Sequence, residues 1–396
     1  MEDSKKEKRA IIFYGTLGGG HKSAAFALKD EMKKSGYRVY MIDFIAFFNP
    51  KFNKFFQKTY MKFSRKEMKI FTNLYELADK IGDEKVMEKL YKINSHKLSK
   101  IINKIDPEYI ISTFPIGIYY LGKLKSEEKI NKNISISVII TDFDAFSFYY
   151  DNENYLNNFF VASEDVKKDL ISRKIPKEKI YVTGIPIKES FRKKYKKEET
   201  LKLLKETGYK GDMPLAIFFG GGSMGLQSKK TKEIFLKMVK NLEDFFFIFI
   251  TGKNKKMYEE YIKLIQKENI KNAYILEYTK NVAEIMELSK IVISKPGGLT
   301  TSETLAKGKP FFMENPIAGQ ELANADYVEK NGAGVKITEK NIDEIIYKIK
   351  NEKDFLKKLS NNSKKIGKPN ASIDIIKLLE KKEKDFDRKN NQKGTF

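Results

Sequence analysis

Two stretches of the chain repeat one pattern: an apolar run, a cluster of glycines, then apolar residues returning at helical spacing. RAIIFYGTLGGGHKSAAFAL (residues 9 to 28) shows it first, and LAIFFGGGSMG (215 to 225) starts it again. A continuous apolar run bounded by glycine reads as a strand buried on both faces, and the amphipathic segment behind it as a covering helix. Further runs follow each start: YRVYMIDF, YIISTF, ISVIITDF and FFVAS after the first, then FFFIFITG, AYILEY, IVISKPG and PFFMEN after the second. Helical patterns separate most of them. The alternation predicts an α/β class protein with two doubly wound, Rossmann-like domains.

The apolar pattern stops over GIPIKESFRKKYKKEET (184 to 200), which predicts a hinge between an N-terminal domain over 1–187 and a C-terminal domain over 188–370. Residues 371–396 form a C-terminal helix and tail; the helix can pack on either domain, and the tail past Asp385 is expected to fray. Ligands of open parallel sheets bind at the carboxyl ends of strands, where both glycine loops fall. Two such domains facing across a cleft would bring two substrates together.

Composition narrows the picture. Of 396 residues, 41% are hydrophobic and 13% aromatic, enough for a sizeable core and too many for a disordered chain. Lys+Arg 76 against Asp+Glu 53 leaves +23, which suggests an anionic partner. Arginine occurs only at Arg9, Arg38, Arg65, Arg173, Arg192 and Arg388, so the excess is lysine spread along the chain, and only local clustering is informative. The absence of cysteine excludes disulfides, a thiol nucleophile and thiolate metal sites. His21 and His96 are the only imidazoles, which excludes a His-rich metal centre. The N-terminal MEDSKKEKRA lacks an apolar h-region, and no uncharged apolar stretch reaches a membrane-spanning length of about 18 residues. A cytoplasmic protein, soluble or peripherally bound to a membrane, is expected.

Candidate chemistry concentrates in four places. In ISKPGGLTTSETLAKGKP (293 to 310), Gly297 and Gly298 allow a tight turn and Thr300 is positioned to cap a helix ending at Gly308. The free amides of that helix start suit a phosphate, and Glu303, one turn in, can accept two ribose hydroxyls. A capping box between Thr300 and Glu303 is the purely structural alternative. In ENPIAGQELANADYVEKNGAG (314 to 334), Gln320, Glu321 and Asn324 group as partners for sugar hydroxyls, with helix capping as the alternative. GGGSMG (220 to 225) fits a dinucleotide fingerprint through Gly220, Gly222 and Gly225, but the next strand ends in Thr251 instead of an acid. A loop around a diphosphate or an acceptor head group, using the glycines and Ser223, fits better. In the N-terminal half, Gly18, Gly20 and Ser23 with Asp43 come closer to the dinucleotide pattern, so an NAD-dependent oxidoreductase is one alternative.

His21 lies where the first glycine loop enters a helix, whose N-terminus disfavours the imidazolium and keeps the ring able to accept a proton. Residues 47 to 71 interleave Phe47, Phe48, Phe52, Phe55, Phe56, Tyr60, Phe63 and Phe71 with Lys51, Lys54, Lys58, Lys62, Arg65, Lys66 and Lys69, with Glu67 the one acid. Aromatics that enter head groups beside lysines that attract anionic lipid read as an interfacial segment. A core helix with a basic face and a single-strand nucleic-acid groove are the alternatives.

GTLGGGHKSAAFAL, STFP (112 to 115), VIITDF (138 to 143), FVASEDVKKDL with VTGIPI (160 to 187), and SKPGGLTTSETLAKGKP with NPIAGQELANADY together resemble the monogalactosyldiacylglycerol synthases and processive diacylglycerol glycosyltransferases, a glycosyltransferase family 28-like group. The resemblance covers about residues 10 to 335 in the family's order. It implies a GT-B fold, an N-terminal domain for acceptor and membrane, and a C-terminal domain for a UDP-sugar. Donor contacts would map to Gly220, Gly222, Ser223, Gly297, Gly298, Thr300, Thr301, Glu303, Gln320 and Glu321, and the base to His21 with Asp142 as partner or alternative. The acceptor and membrane side would comprise Gly19, Gly20, Phe52, Lys54, Phe55, Phe56, Lys58 and Lys62. Phe146 and Tyr149 stand at the approximate places of the family's His and Trp after Thr-Asp-Phe. Glu277 replaces a common Gly and Lys290 a common acid, which implies a uracil pocket different in detail.

The expectation is therefore a peripheral enzyme at the cytoplasmic face of the cell membrane, moving a hexose from a UDP-hexose to diacylglycerol with inversion. Its partners are anionic membrane lipids, with no nucleic acid, no specific protein partner, no cofactor and no metal. The other acceptor to weigh is a polyprenyl-linked peptidoglycan precursor, with UDP-N-acetylglucosamine as donor.

Overall fold

The structure, a computed structural model, describes residues 7–15, 19–48, 84–145, 153–220, 229–314, 316 and 319–393. The chain divides into two compact units: one holds the described residues from 7 to 188 together with 370–393, and the other holds 189–369.

The first unit is built on β1 (Arg9–Tyr14), β2 (Arg38–Asp43), β3 (Tyr109–Ser112), β4 (Ser135–Ile139), β5 (Asn158–Val161) and β6 (Ile180–Val182). These form one parallel sheet in the order β2-β1-β3-β4-β5-β6. Its helices are α1 (Gly20–Lys34), α2 (Phe44–Phe48), α3 (Glu84–Ile105), α4 (Pro115–Ser126) and α5 (Glu164–Ser172). Ala10 to Phe13 of β1 are all fully buried because helices cover both faces and alternate side chains must point each way. Ile11 and Phe13 join Tyr91, Leu98 and Ile102 of α3 and Leu121 and Leu124 of α4. Ala10 and Ile12 face Ala25, Leu28 and Met32 of α1.

The second unit carries β7 (Leu215–Phe219), β8 (Phe246–Gly252), β9 (Ala273–Glu277), β10 (Ser289–Ser294), β11 (Phe311–Glu314) and β12 (Gly334–Ile337), parallel in the order β12-β11-β10-β7-β8-β9. Its helices are α6 (Lys197–Leu203), α7 (Lys229–Asn241), α8 (Lys255–Lys267), α9 (Val282–Leu288), α10 (Gly298–Ala306), α11 (Gln320–Lys330), α12 (Ile342–Asn351) and α13 (Phe355–Ile366). Phe218 and Phe249 stack at 4.9 Å, Phe249 stacks on Tyr261 at 4.1 Å, and Phe235 meets Phe218, Phe249 and Tyr261 edge-on. In each sheet the order reverses beside the first strand, at β1 and at β7, which leaves a crevice at the carboxyl ends there.

Three expectations change. The strands β6 and β12 join the sheets as edges, although neither had announced itself as an apolar run. The final helix, α14 (Ala371–Lys393), runs past Asp385 instead of fraying there, and it packs on the first unit. Its Ile375, Ile376 and Leu379 complete the cluster beneath α1, and the Tyr109 hydroxyl donates to Leu379 O at 3.3 Å. Phe47, grouped with the interfacial aromatics, packs against the first unit's core, and Lys97 Nζ sits 4.4 Å from its ring. Among the described residues, no helix is long and apolar enough to cross a membrane. Ile375→Ala should cost about 3 kcal/mol, the usual penalty for truncating a fully packed aliphatic side chain. Urea denaturation measures it, and a loss under about 1 kcal/mol would mean that α14 is not part of this core.

Candidate functional site

In the second unit the crevice falls between β7 and β10, which pair in register with Ile293 opposite Phe218. The loops leaving both strands therefore emerge side by side. Gly220 begins the first, and a Cβ there would meet Met257 Sδ at 2.5 Å and Phe249 at 2.9 Å, so packing alone requires this glycine. Gly222 and Ser223 lie outside the described residues.

The second loop, Lys295-Pro296-Gly297, leads into α10. Gly297 occupies the cap position with φ −66° and ψ 144°, and no side chain caps the helix. The Thr300–Glu303 capping box is thus not formed: the helix begins two residues before Thr300, which is its third residue, and Glu303 is its sixth. The first intrahelical bond runs from Thr301 N–H to Gly297 O at 2.9 Å, leaving the N–H groups of Gly298, Leu299 and Thr300 ahead of it. Thr301 itself is fully buried, and its hydroxyl has no hydrogen-bond partner among the described residues. Gly297 adopts a φ open to any residue, and a Cβ on it would meet no described atom within 4 Å. Neither backbone strain nor packing among the described residues calls for glycine here. The glycine leaves the backbone of the turn open to close approach.

At the neighbouring β11, α11 begins with half-buried Gln320 and Glu321, capped by Gly319 and not by a side chain. Helix capping therefore does not account for this polar pair. Asn324 departs from the expected sugar-binding group: it is fully buried, and its Nδ2 donates to Pro296 O at 2.9 Å. Lys295 Nζ lies 4.0 Å from Glu321. The sequence reading missed Glu314, a fully buried carboxyl at the end of β11 whose pKa burial pushes up to about 7, against the pull of Thr231 and Lys295. The available signal was an acid closing an otherwise apolar strand. Lys290 stands near the amino end of β10, at the opposite end of the strand from the Pro-Gly-Gly turn.

In the first unit, Gly19 caps α1 with φ 79°, a conformation that favours glycine, and Gly20 is its first residue. His21 follows. Its Nδ1 is 2.8 Å from Thr141 Oγ1, at the end of β4, and its carbonyl accepts from Thr113 Oγ1 at 3.0 Å, at the end of β3. Phe114 packs edge-on at 5.6 Å. The ends of β3 and β4 thus fix His21: Thr141 and Phe114 meet the ring, and Thr113 holds its backbone. Burial pushes its pKa down to about 4, against a weaker backbone hydrogen bond with Thr113, so the ring is neutral at pH 7. The sequence pointed to neutrality through the helix N-terminus; desolvation is the larger cause. Asp142, buried, follows Thr141 in the same turn.

Asp43, which the nicotinamide alternative needs for a ribose, instead accepts from the N–H groups of Ile45 and Ala46 at 3.1 Å each and so caps α2. Phe146 and Tyr149, and all of Phe52, Lys54, Phe55, Phe56, Lys58 and Lys62, lie outside the described residues.

Comparisons with known proteins agree with this geometry. Residues 21–187 match the family model for monogalactosyldiacylglycerol (MGDG) synthase, and residues 216–379 match that for the glycosyltransferase family 28 C-terminal domain. A processive diacylglycerol beta-glucosyltransferase of Staphylococcus epidermidis is 28% identical over 94% of each chain. Its counterpart in Staphylococcus saprophyticus is 29% identical over 83% of this chain and 81% of its own. The crystal structure of Acinetobacter baumannii MurG covers 94% of this chain and 99% of its own with a TM-score of 0.61 at 12% identity, a likeness of GT-B fold. Through its two halves, one of the monogalactosyldiacylglycerol synthase family and the other of glycosyltransferase family 28, the chain is a glycosyltransferase.

Proposed function

We propose that the protein transfers a hexose from a UDP-sugar to the hydroxyl of diacylglycerol at a membrane surface, with inversion to a β-linked glycolipid. The observation that carries this reading is Gly297: a glycine that neither conformation nor described packing requires, placed before three helical amides that have no backbone partner among the described residues, at the crevice of a doubly wound sheet. Those amides and the dipole of α10 suit the diphosphate, and Glu303 on the same helix suits the ribose. Gln320 and Glu321 suit the sugar. In the first unit, His21 Nδ1 lies 2.8 Å from Thr141 Oγ1; in the tautomer that donates there, the neutral ring keeps the lone pair of Nε2 for the acceptor proton.

The step balances without a redox partner. The acceptor oxygen forms a bond to the sugar C1, the bond from C1 to the diphosphate oxygen breaks, its electron pair leaves with UDP, and the acceptor proton passes to His21. The leaving charge is met by α10 amides, and the reading assigns no role to a metal. The diacylglycerol relatives, alike over most of their length, support this acceptor. Peripheral attachment through the aromatic and basic residues of 47–71 belongs to the same proposal. With Asp43 capping α2, no observation favours the nicotinamide alternative.

His21→Ala should lower turnover 10²- to 10⁴-fold, the usual worth of a general base, while UDP affinity stays within about threefold. Assay with labelled UDP-hexose and diacylglycerol, with titration calorimetry for UDP, measures both; turnover near the native level would remove His21 from the chemistry. NMR titration of the imidazole should place the His21 pKa near 4. The sign follows from linkage: the unfolded imidazole binds a proton near 6.5 and the folded one near 4, so His21's contribution to stability is present above pH 6.5 and is lost as pH falls through that window. A pKa at or above 6.5 would contradict the burial described above.

A further inference from the structure

We propose that α11 clasps the loop between β10 and α10 through Asn324 and the Lys295–Glu321 ion pair, making Asn324 a positioning residue for the nucleotide site and not a contact of the donor sugar. The inference rests on the function proposed above and deepens it.

Glu321 and Asn324 are three positions apart and share one face of α11. Their partners, Lys295 and Pro296, are consecutive, so one helix face engages two successive residues of the turn. Asn324 is fully buried, with Nδ2 2.9 Å from Pro296 O, and turning it toward a sugar would leave a buried carbonyl unpaired. The peptide joining Pro296 to Gly297 is planar, so holding its carbonyl also sets its N–H, which donates to Lys295 O at 3.0 Å. The orientation of that peptide fixes the entry into Gly297 and the direction of the amides that follow. At 4.0 Å and partly exposed, the ion pair is the weaker of the two links. Its second effect is on Glu321: Lys295 holds that carboxylate near the turn, so the residues suited to the sugar and those suited to the diphosphate are tied to the same three-residue loop.

Asn324→Asp keeps the side chain's shape and removes the N–H donor. The clasp predicts that UDP alone binds this variant about tenfold more weakly, the scale of one lost hydrogen bond, with a parallel loss for UDP-hexose. A direct sugar contact predicts the reverse: UDP affinity within twofold of the native protein and a loss confined to UDP-hexose, which would overturn the proposal. Hydrogen exchange on the ligand-free protein supplies a second readout. Amides of residues 297–301 should exchange about tenfold faster in Asn324→Asp, and two- to threefold faster in the milder Glu321→Gln, which removes the ion pair. Unchanged exchange in both variants would overturn the clasp. Native protein that binds no UDP would overturn the function proposed above, and the exchange measurement would still decide the clasp.

Discussion

The reversal of strand order beside β7 is the constraint on which the second unit's chemistry depends. With β8 on one side and β10 on the other, the chain leaves two adjacent strands toward opposite faces of the sheet, which opens a crevice between the departing loops. The turn after β10 then has to start a helix at that opening. Its first amides have no carbonyl within the helix to accept them, so the anion site proposed there begins with the backbone before any side chain contributes. The same reversal beside β1 places His21 at the ends of β1, β3 and β4, where Thr113 and Thr141 reach it.

The two corners handle charge differently. The His21 ring meets the Thr141 hydroxyl and the Phe114 ring, and desolvation dominates, so the imidazole stays neutral. Behind the Pro-Gly-Gly turn, Lys295 lies 4.0 Å from Glu321 and its charge also pulls on buried Glu314, which burial nonetheless keeps well above the usual carboxylate range. In the proposed transfer, the neutral imidazole of the first unit is assigned to the acceptor proton, and the amides of the second unit to the departing diphosphate.

Much of this was legible in the sequence because it depends on runs and spacing. Strands buried on both faces, such as Ala10–Phe13 and Phe246–Ile250, read as unbroken apolar runs, and glycine marked both strand ends. What was not legible depends on tertiary context. The short edge strands β6 and β12 leave Tyr181, Val182, Val335 and Lys336 only half-buried, so no apolar run signals them. Thr300 had the chemistry of a cap, but Gly297, three residues ahead, could take that position without strain, and it does. Asn324 had the chemistry of a sugar ligand, and only its burial shows that it serves the loop instead. Phe47 and α14 illustrate the same limit: periodicity reveals an apolar face but not what covers it.

The account stands or falls on Gly297. Substituting Gly297→Val adds a side chain where φ is ordinary and no described atom lies within 4 Å, so the folded state should persist with its melting temperature within a few degrees of native. Equilibrium dialysis with UDP should then show binding abolished, because the added methyl groups occupy the approach to the α10 amides. A folded Gly297→Val protein that binds UDP as tightly as the native chain would contradict the account.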